Sequence, residues 1–156
     1  MPWGRFFLFG GKMITRNFRL SEFQCSCCGK SNINIELVEK LQQLRDRYGE
    51  PIFITSGVRC PEYNRRVGGY WDSPHLKGLA VDIVARISPV TMAYLADELG
   101  VFRIGVYDRH THLDIVKPYP SKYWLVSGGN APVYSGNETD LNKFLRNIKG
   151  LYHHGN

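Results

Sequence analysis

Between positions 34 and 48 the apolar residues fall at helical spacing. Ile35, Val38, Leu41 and Tyr48 mark a stripe that Leu37 and Leu44 widen, the pattern of an amphipathic helix. Asn34 is placed to cap its start, and Gly49 and Pro51 to end it. A second helix is predicted from Ser88, an N-cap followed by Pro89 at the first helical position, to Leu99. Met92, Leu95 and Leu99 share one face there, and Gly100 stops it. Elsewhere the apolar runs are short and β-rich. Pro51–Thr55 is one, broken by Ser56-Gly57, and Leu79–Val84 reads as a buried strand. Phe102–Tyr107 and Thr111–Val116, joined by a few polar residues, predict a hairpin, and Tyr123–Val126 adds a strand. Phe18–Phe23 predicts a short capped turn, and Pro61–Val67 one or two helical turns stopped by Gly68-Gly69. Gly128–Gly136 reads as a loop and Asp140–Ile148 as a terminal helix. Helices and strands mix without regular βαβ alternation, so the expected class is α+β: a single domain with a small antiparallel sheet and helices packed around it.

The 156 residues suffice for one domain with a real core, and 43% of them are hydrophobic, as in globular rather than disordered chains. No apolar stretch approaches the roughly 20 residues of a membrane span. Phe6-Phe7-Leu8-Phe9 follows Arg5, but it is shorter than the apolar core of about 7–15 residues in a signal peptide and lacks a small-residue cleavage site. The chain is therefore read as having no signal peptide. Residues 1–12 read as a loose extension, 13–127 as the domain, and 128–156 as a C-terminal loop and helix; Met13 is a second candidate start.

The net charge of +6 fits either solubility or attraction to a polyanion, whether nucleic acid or an anionic cell-wall polymer. Lys and Arg are scattered, with no dense basic run and no nucleic-acid-binding motif. Cys25, Cys27 and Cys28 lie within four residues, and Cys60 stands apart. Cys25-x-x-Cys28 has zinc-knuckle spacing but lacks a second pair. Free thiols, a disulfide to Cys60, or a structural metal site using Cys60 are the alternatives. Without a signal peptide the compartment of synthesis is expected to be reducing.

The chemistry centres on Asp82, a carboxylate inside the apolar run 79–84. An isolated buried charge is very unfavourable, so Asp82 needs a partner. Arg59 is one candidate and a divalent metal, zinc above all, is another. His75 lies seven residues upstream, and His110-Thr111-His112-Leu113-Asp114 follows about thirty residues later. On an extended strand His110, His112 and Asp114 share one face, so His75, Asp82 and one of the later histidines are placed to meet. Two imidazoles and one carboxylate leave a fourth position for water, as in catalytic rather than structural zinc sites. Such a site suits amide hydrolysis.

Several segments, taken in order, resemble the M15 family of zinc peptidases. They are Phe18-Arg19-Leu20-Ser21-Glu22-Phe23 with the Cys cluster, Ile54-Thr55-Ser56-Gly57-Val58-Arg59, Asn64-Arg65-Arg66-Val67-Gly68-Gly69, Ser73-x-His75-x-x-Gly78-x-Ala80-x-Asp82-Ile83, Gly105-Val106-Tyr107 and His112-Leu113-Asp114. The resemblance covers about residues 18–125 and is strongest to the D-Ala-D-Ala carboxypeptidase-like branch common in bacteriophages and prophages. It implies a hedgehog/DD-peptidase-like fold and one catalytic Zn²⁺ held by His75, Asp82 and His112. It also implies hydrolysis of a peptide bond in the peptidoglycan stem peptide, as a D,D-carboxypeptidase or an endopeptidase. Arg59 looks like the family's arginine that meets a substrate carboxylate or carbonyl oxygen, and Ser73 like the serine that contacts substrate or shapes the turn.

Many relatives place Glu or Asp three residues before the third ligand. Arg109 stands there in this chain and cannot act as a base. Other relatives carry His-x-His, which makes His110 a candidate to stabilise the transition state or move a proton. Asp114 is a candidate base, or a partner that orients a ligand. The expected partner is the stem peptide, with no nucleic acid and no membrane span, and the expected state is a monomer. The resemblance points to an enzyme made in the bacterial cytoplasm that reaches the wall after phage lysis or as a virion component. The related hedgehog signalling domains suggest an alternative, a zinc-containing binding module without catalysis.

Overall fold

The computed structural model describes residues 11–100, 102–117, 123–126, 134–136, 141–143 and 145–146. A 3₁₀ turn at Leu20–Phe23 precedes helix α1, Ile35–Tyr48. Asn34 caps α1, its side chain accepting from the Leu37 N–H at 3.3 Å. Gly49 ends it in the left-handed region at φ 81°, where its N–H bonds the Arg45 carbonyl. The buried face is Leu37, Val38, Leu41 and Leu44. Ile35, expected in the stripe, is 52% exposed, because the face toward the sheet is centred on Leu37 and Leu41.

Strand β1 (Phe53–Ser56) is followed by the short helix α2 (Pro61–Arg66), a 3₁₀ turn at Pro74–Lys77 and strand β2 (Ala80–Val84). Helix α3 (Pro89–Glu98) starts at the expected Ser88 cap, whose hydroxyl accepts from the Thr91 N–H. It buries Met92, Ala93 and Ala96, while Leu95 and Leu99 are only partly covered. The small Ala93 and Ala96 side chains let α3 lie close against the sheet. Strands β3 (Arg103–Val106) and β4 (Thr111–Asp114) form the expected hairpin.

Strands β5 (Tyr123–Leu125) and β6 (Tyr134–Gly136) complete a six-stranded sheet of order β1-β2-β4-β3-β5-β6. The class is the expected α+β, but the sheet is mixed rather than wholly antiparallel, since β5 runs parallel to β3. β4 ends beside the start of β3 at Asp114↔Arg103, and β5 starts at that same end of the sheet, with Tyr123 beside Ile104. Tyr134–Gly136, expected within a loop, pairs antiparallel with β5. Residues 141–143 and 145–146 are helical, within the expected terminal helix, and Leu141 is buried. The expected extension falls mostly on residues 1–10, which lie outside the described residues, while the Lys12 carbonyl accepts from the Leu20 N–H.

Alternation along the strands separates two faces. Val81, Ile83, Ile104, Val106 and Leu113 join the core with the buried sides of α1 and α3. Ala80, Asp82, Arg103, Gly105, His112 and Asp114 project from the other face, in the registers Asp82↔His112↔Gly105 and Ala80↔Asp114↔Arg103. Helices α1 and α3 therefore cover one side of the sheet and leave the polar side for a site.

Gly78 ties this architecture together. It ends the 3₁₀ turn at φ 67°, and a Cβ there would sit 2.2 Å from the Asn32 carbonyl oxygen. Left-handed backbone disfavours a non-glycine residue by about 1–2 kcal/mol before any clash. Gly78→Ala is therefore expected to lower the urea midpoint, and an unchanged midpoint would contradict this reading of the turn.

Candidate metal centre

Directly opposed residues of an antiparallel pair project from the same face. The β2/β4 register therefore sets the Asp82 carboxylate beside the His112 imidazole, with Oδ1 2.9 Å from Nδ1. His75 reaches the same oxygen from the 3₁₀ turn, its Nε2 3.2 Å away. Pro74 opens that turn, and the Ser73 hydroxyl accepts from the His75 N–H at 3.4 Å. His75, Asp82 and His112 are all buried.

The far side of each ring is also held. His75 Nδ1 donates to the Gly57 carbonyl at 2.7 Å. A carbonyl only accepts, so the proton of His75 sits on Nδ1 and the Nε2 lone pair faces Asp82 Oδ1, itself an acceptor. His112 Nε2 lies 3.0 Å from Asp114 Oδ2. Asp114 is fully buried and gripped by both prongs of Arg103, with Nε 2.7 Å and Nη2 2.8 Å from its oxygens. The Val116 N–H also donates to it, and the Arg103 guanidinium lies over the Trp124 ring. Two nitrogens held from behind and one carboxylate oxygen thus converge on one point.

That donor set fits a divalent cation. Lone pairs facing one another across about 3 Å call for a positive charge between them. For tetrahedral zinc with bonds of about 2.0–2.1 Å, neighbouring ligand atoms lie about 3.3 Å apart. The three donor atoms here lie within 4.8 Å of one another, and the 2.9 and 3.2 Å separations to Asp82 need little adjustment. Without a cation, protons fill the role. Burial alone lowers the pKa of His112, but hydrogen bonds to Asp114 and Asp82 outweigh it and raise the value to about 9. Burial alone would raise Asp82, yet His75 and His112 hold it well below the ordinary carboxylate range.

Arg59 binds the second oxygen of Asp82, with Nη2 2.6 Å from Oδ2. The notion of Arg59 as a partner for Asp82 and that of a metal there are thus compatible, one per oxygen. Arg59 Nε donates to the Ser56 hydroxyl at 2.8 Å, and its backbone N–H donates to the His75 carbonyl. His110 Nε2 stands 3.7 Å from Asp82 Oδ1, and its ring stacks on Tyr107 with centroids 4.2 Å apart. Burial lowers the pKa of His110. Above these residues opens a cleft of about 470 Å³.

All seven residues expected from the sequence lie in or against this cluster. Arg59, Ser73, His75, Asp82, His110 and His112 line the cleft, and Asp114 sits behind His112. Of the two roles left open for Asp114, its closed hydrogen bonding to Arg103 supports orientation of His112 rather than proton transfer. Tyr107 and Trp124 also line the cleft. Arg103 gave no usable signal, and Gly105 entered only as part of the Gly105-Val106-Tyr107 resemblance, with no role in the site. Arg103 gains meaning only from the register that sets it beside Asp114. Gly105 leaves the space that Trp124 fills, since a Cβ there would meet the indole at 2.5–2.7 Å.

The structure is thus an α+β domain with a buried His/Asp/His group, able to hold a metal ion, on the open face of its sheet. The Peptidase M15 family profile matches residues 16–115. The chain belongs to that family, a family of peptidases. No curated protein matches it.

Outer partners of metal ligands typically change affinity 10–100-fold when altered. Asp114→Asn removes the charge behind His112 with little change in shape. It is expected to weaken Zn²⁺ binding by roughly 10–100-fold in a competitive chelator titration. Affinity equal to that of the parent chain would remove Asp114 from the site.

Proposed function

We propose that this chain is a zinc-dependent peptidase that hydrolyses a peptide bond in the stem peptide of peptidoglycan. The observation that carries this reading is the convergence of His75 Nε2, Asp82 Oδ1 and His112 Nδ1 beneath an open cleft, each imidazole held from behind. Zn²⁺ in such a site acidifies a bound water and polarises a carbonyl. Zinc suits the mixed nitrogen and oxygen donors, with three protein ligands leaving room for water and substrate.

The remaining roles fall to the chain's own side chains. Arg59 is anchored through Nε to Ser56 and through Nη2 to Asp82. Its planar guanidinium is thereby fixed at the cleft wall, to donate to a carbonyl oxygen or terminal carboxylate of the substrate. His110, whose neutral form burial favours, takes and returns a proton at Nε2. Tyr107 holds that ring by stacking, and the Trp124 indole N–H donates to the Tyr107 hydroxyl at 3.4 Å. Ser73 shapes the turn that delivers His75. The net charge of +6 supports attraction to an anionic wall. Tyr70 and Trp71, exposed beside the cleft with ring centroids 5.8 Å apart, offer flat surfaces to a sugar-linked peptide.

A second reading is a zinc-containing wall-binding module of the same fold without catalysis. One observation favours it. Among the described cleft residues the carboxylates are Asp82, which faces both imidazoles, and Asp72, which pairs with Lys77 at 3.0 Å. Neither is placed as a general base, so proton transfer rests on His110.

Digestion of purified peptidoglycan with and without a chelator, read by mass spectrometry, separates the two readings and reports the bond cut. Chelator-sensitive release of muropeptides is expected, and zinc binding without any product would support the module. His110→Ala is expected to keep its metal and to lose turnover by roughly 10²–10⁴-fold. Undiminished turnover in that variant would remove His110 from proton transfer.

A further inference from the structure

Away from the cleft floor, three of the four cysteines converge. Cys25 leaves the first 3₁₀ turn and enters a tight loop closed by two backbone hydrogen bonds, Gly29 N–H to the Cys25 carbonyl and Cys25 N–H to the Lys30 carbonyl, each 2.8 Å. Gly29 turns the chain at φ 73°, directly after Cys28. Cys60 comes from far along the sequence as the N-cap of α2, its sulfur accepting from the Tyr63 N–H at 3.4 Å. The Cys60 N–H donates to the Cys25 sulfur at 3.3 Å. The Sγ atoms of Cys25, Cys28 and Cys60 lie within 4.8 Å of one another, and all are free thiols.

We propose that Cys25, Cys28 and Cys60 form a second, structural metal site that takes a soft divalent cation of the zinc class. Sulfur ligands on tetrahedral zinc, with bonds of about 2.3 Å, lie about 3.8 Å apart, so the triad needs only slight contraction. A disulfide joins two sulfurs and leaves the third idle, whereas a cation uses all three. Backbone N–H groups donate to the Cys25 and Cys60 sulfurs and fix where they point, and sulfur ligands of this kind select zinc over hard cations. Cys28 is exposed, which gives the ion an entry path and leaves the fourth position on the solvent side.

The site would fasten the segment that serves the cleft. The Val58 N–H donates to the Phe23 carbonyl, and Gly57 presses so closely on the Phe23 backbone that a Cβ would come within 2.6 Å of its oxygen. Gly57 orients His75, and Arg59 grips Asp82. A cation joining Cys25 and Cys28 to Cys60 clamps the next residue of that same segment, so it stabilises the fold without touching substrate.

Elemental analysis of reduced, metal-saturated protein tests this. About two zinc ions per chain are expected, falling to about one in His75→Ala and about one in Cys28→Ser. Cobalt-substituted His75→Ala, with every cysteine intact, is expected to show thiolate-to-cobalt charge-transfer absorption, which Cys28→Ser abolishes along with a drop in the melting midpoint. Cobalt bound without that absorption would overturn the proposal, as would a disulfide among these cysteines in the purified chain. Because the cobalt readout excludes the His75 centre, failure here and failure of the peptidase reading are distinguishable.

Discussion

The structure depends on how one buried carboxylate is satisfied. Asp82 lies on a central strand with apolar neighbours on either side in sequence. Leaving it unpaired would disfavour folding by far more than any single core contact contributes. Its two oxygens have separate partners: Oδ2 takes the Arg59 guanidinium, and Oδ1 faces the two imidazoles. Because both rings carry acceptors behind them, Oδ1 and the two ring nitrogens require positive charge between them. A divalent cation meets that requirement with less compromise than extra protons do, and it turns a liability of burial into a chemical centre.

The surrounding residues keep that centre in place by working across strands. Arg103 on β3 grips Asp114 on β4, Asp114 bonds His112, and His112 meets Asp82 on β2. This chain of polar contacts crosses three neighbouring strands, so the register of the sheet is also the geometry of the site. A shift by one residue would send every one of these side chains to the helix-covered face. On the other side, Gly57 and Arg59 come from the segment after β1, whose register with β2 is interrupted between Ile54 and Ser56. That irregularity sets Ser56 opposite Asp82, where its hydroxyl receives Arg59 Nε. The cysteine cluster lies at the far end of the same segment, which makes residues 57–60 the bridge between the N-terminal turn and the cleft.

Local signals in the sequence carried much of this. The Asn34 and Ser88 caps, the Gly49 stop and the apolar run at 79–84 each act over a few residues, and the elements begin and end near them. The unusual placement of Asp82 pointed to a metal, and the family resemblance pointed to His75 and His112 beside it. Spacing alone could not choose between His110 and His112. The pairing of Asp82 with His112 across β2 and β4 brings the latter closer, 2.9 Å against 3.7 Å. What stayed illegible is long-range. The parallel placement of β5, the pairing of Tyr134–Gly136, the grip of Arg103 on Asp114 and the exposure of Ile35 all follow from which strands become neighbours, and no local pattern encodes that.

The central claim is that His75, Asp82 and His112 hold a metal ion, and anomalous diffraction at the zinc edge from crystals grown with Zn²⁺ tests it most directly. A strong peak is expected about 2.0–2.2 Å from His75 Nε2, Asp82 Oδ1 and His112 Nδ1. A cluster with no peak, in which Asp82 Oδ1 remains hydrogen-bonded to a doubly protonated His112, would contradict it.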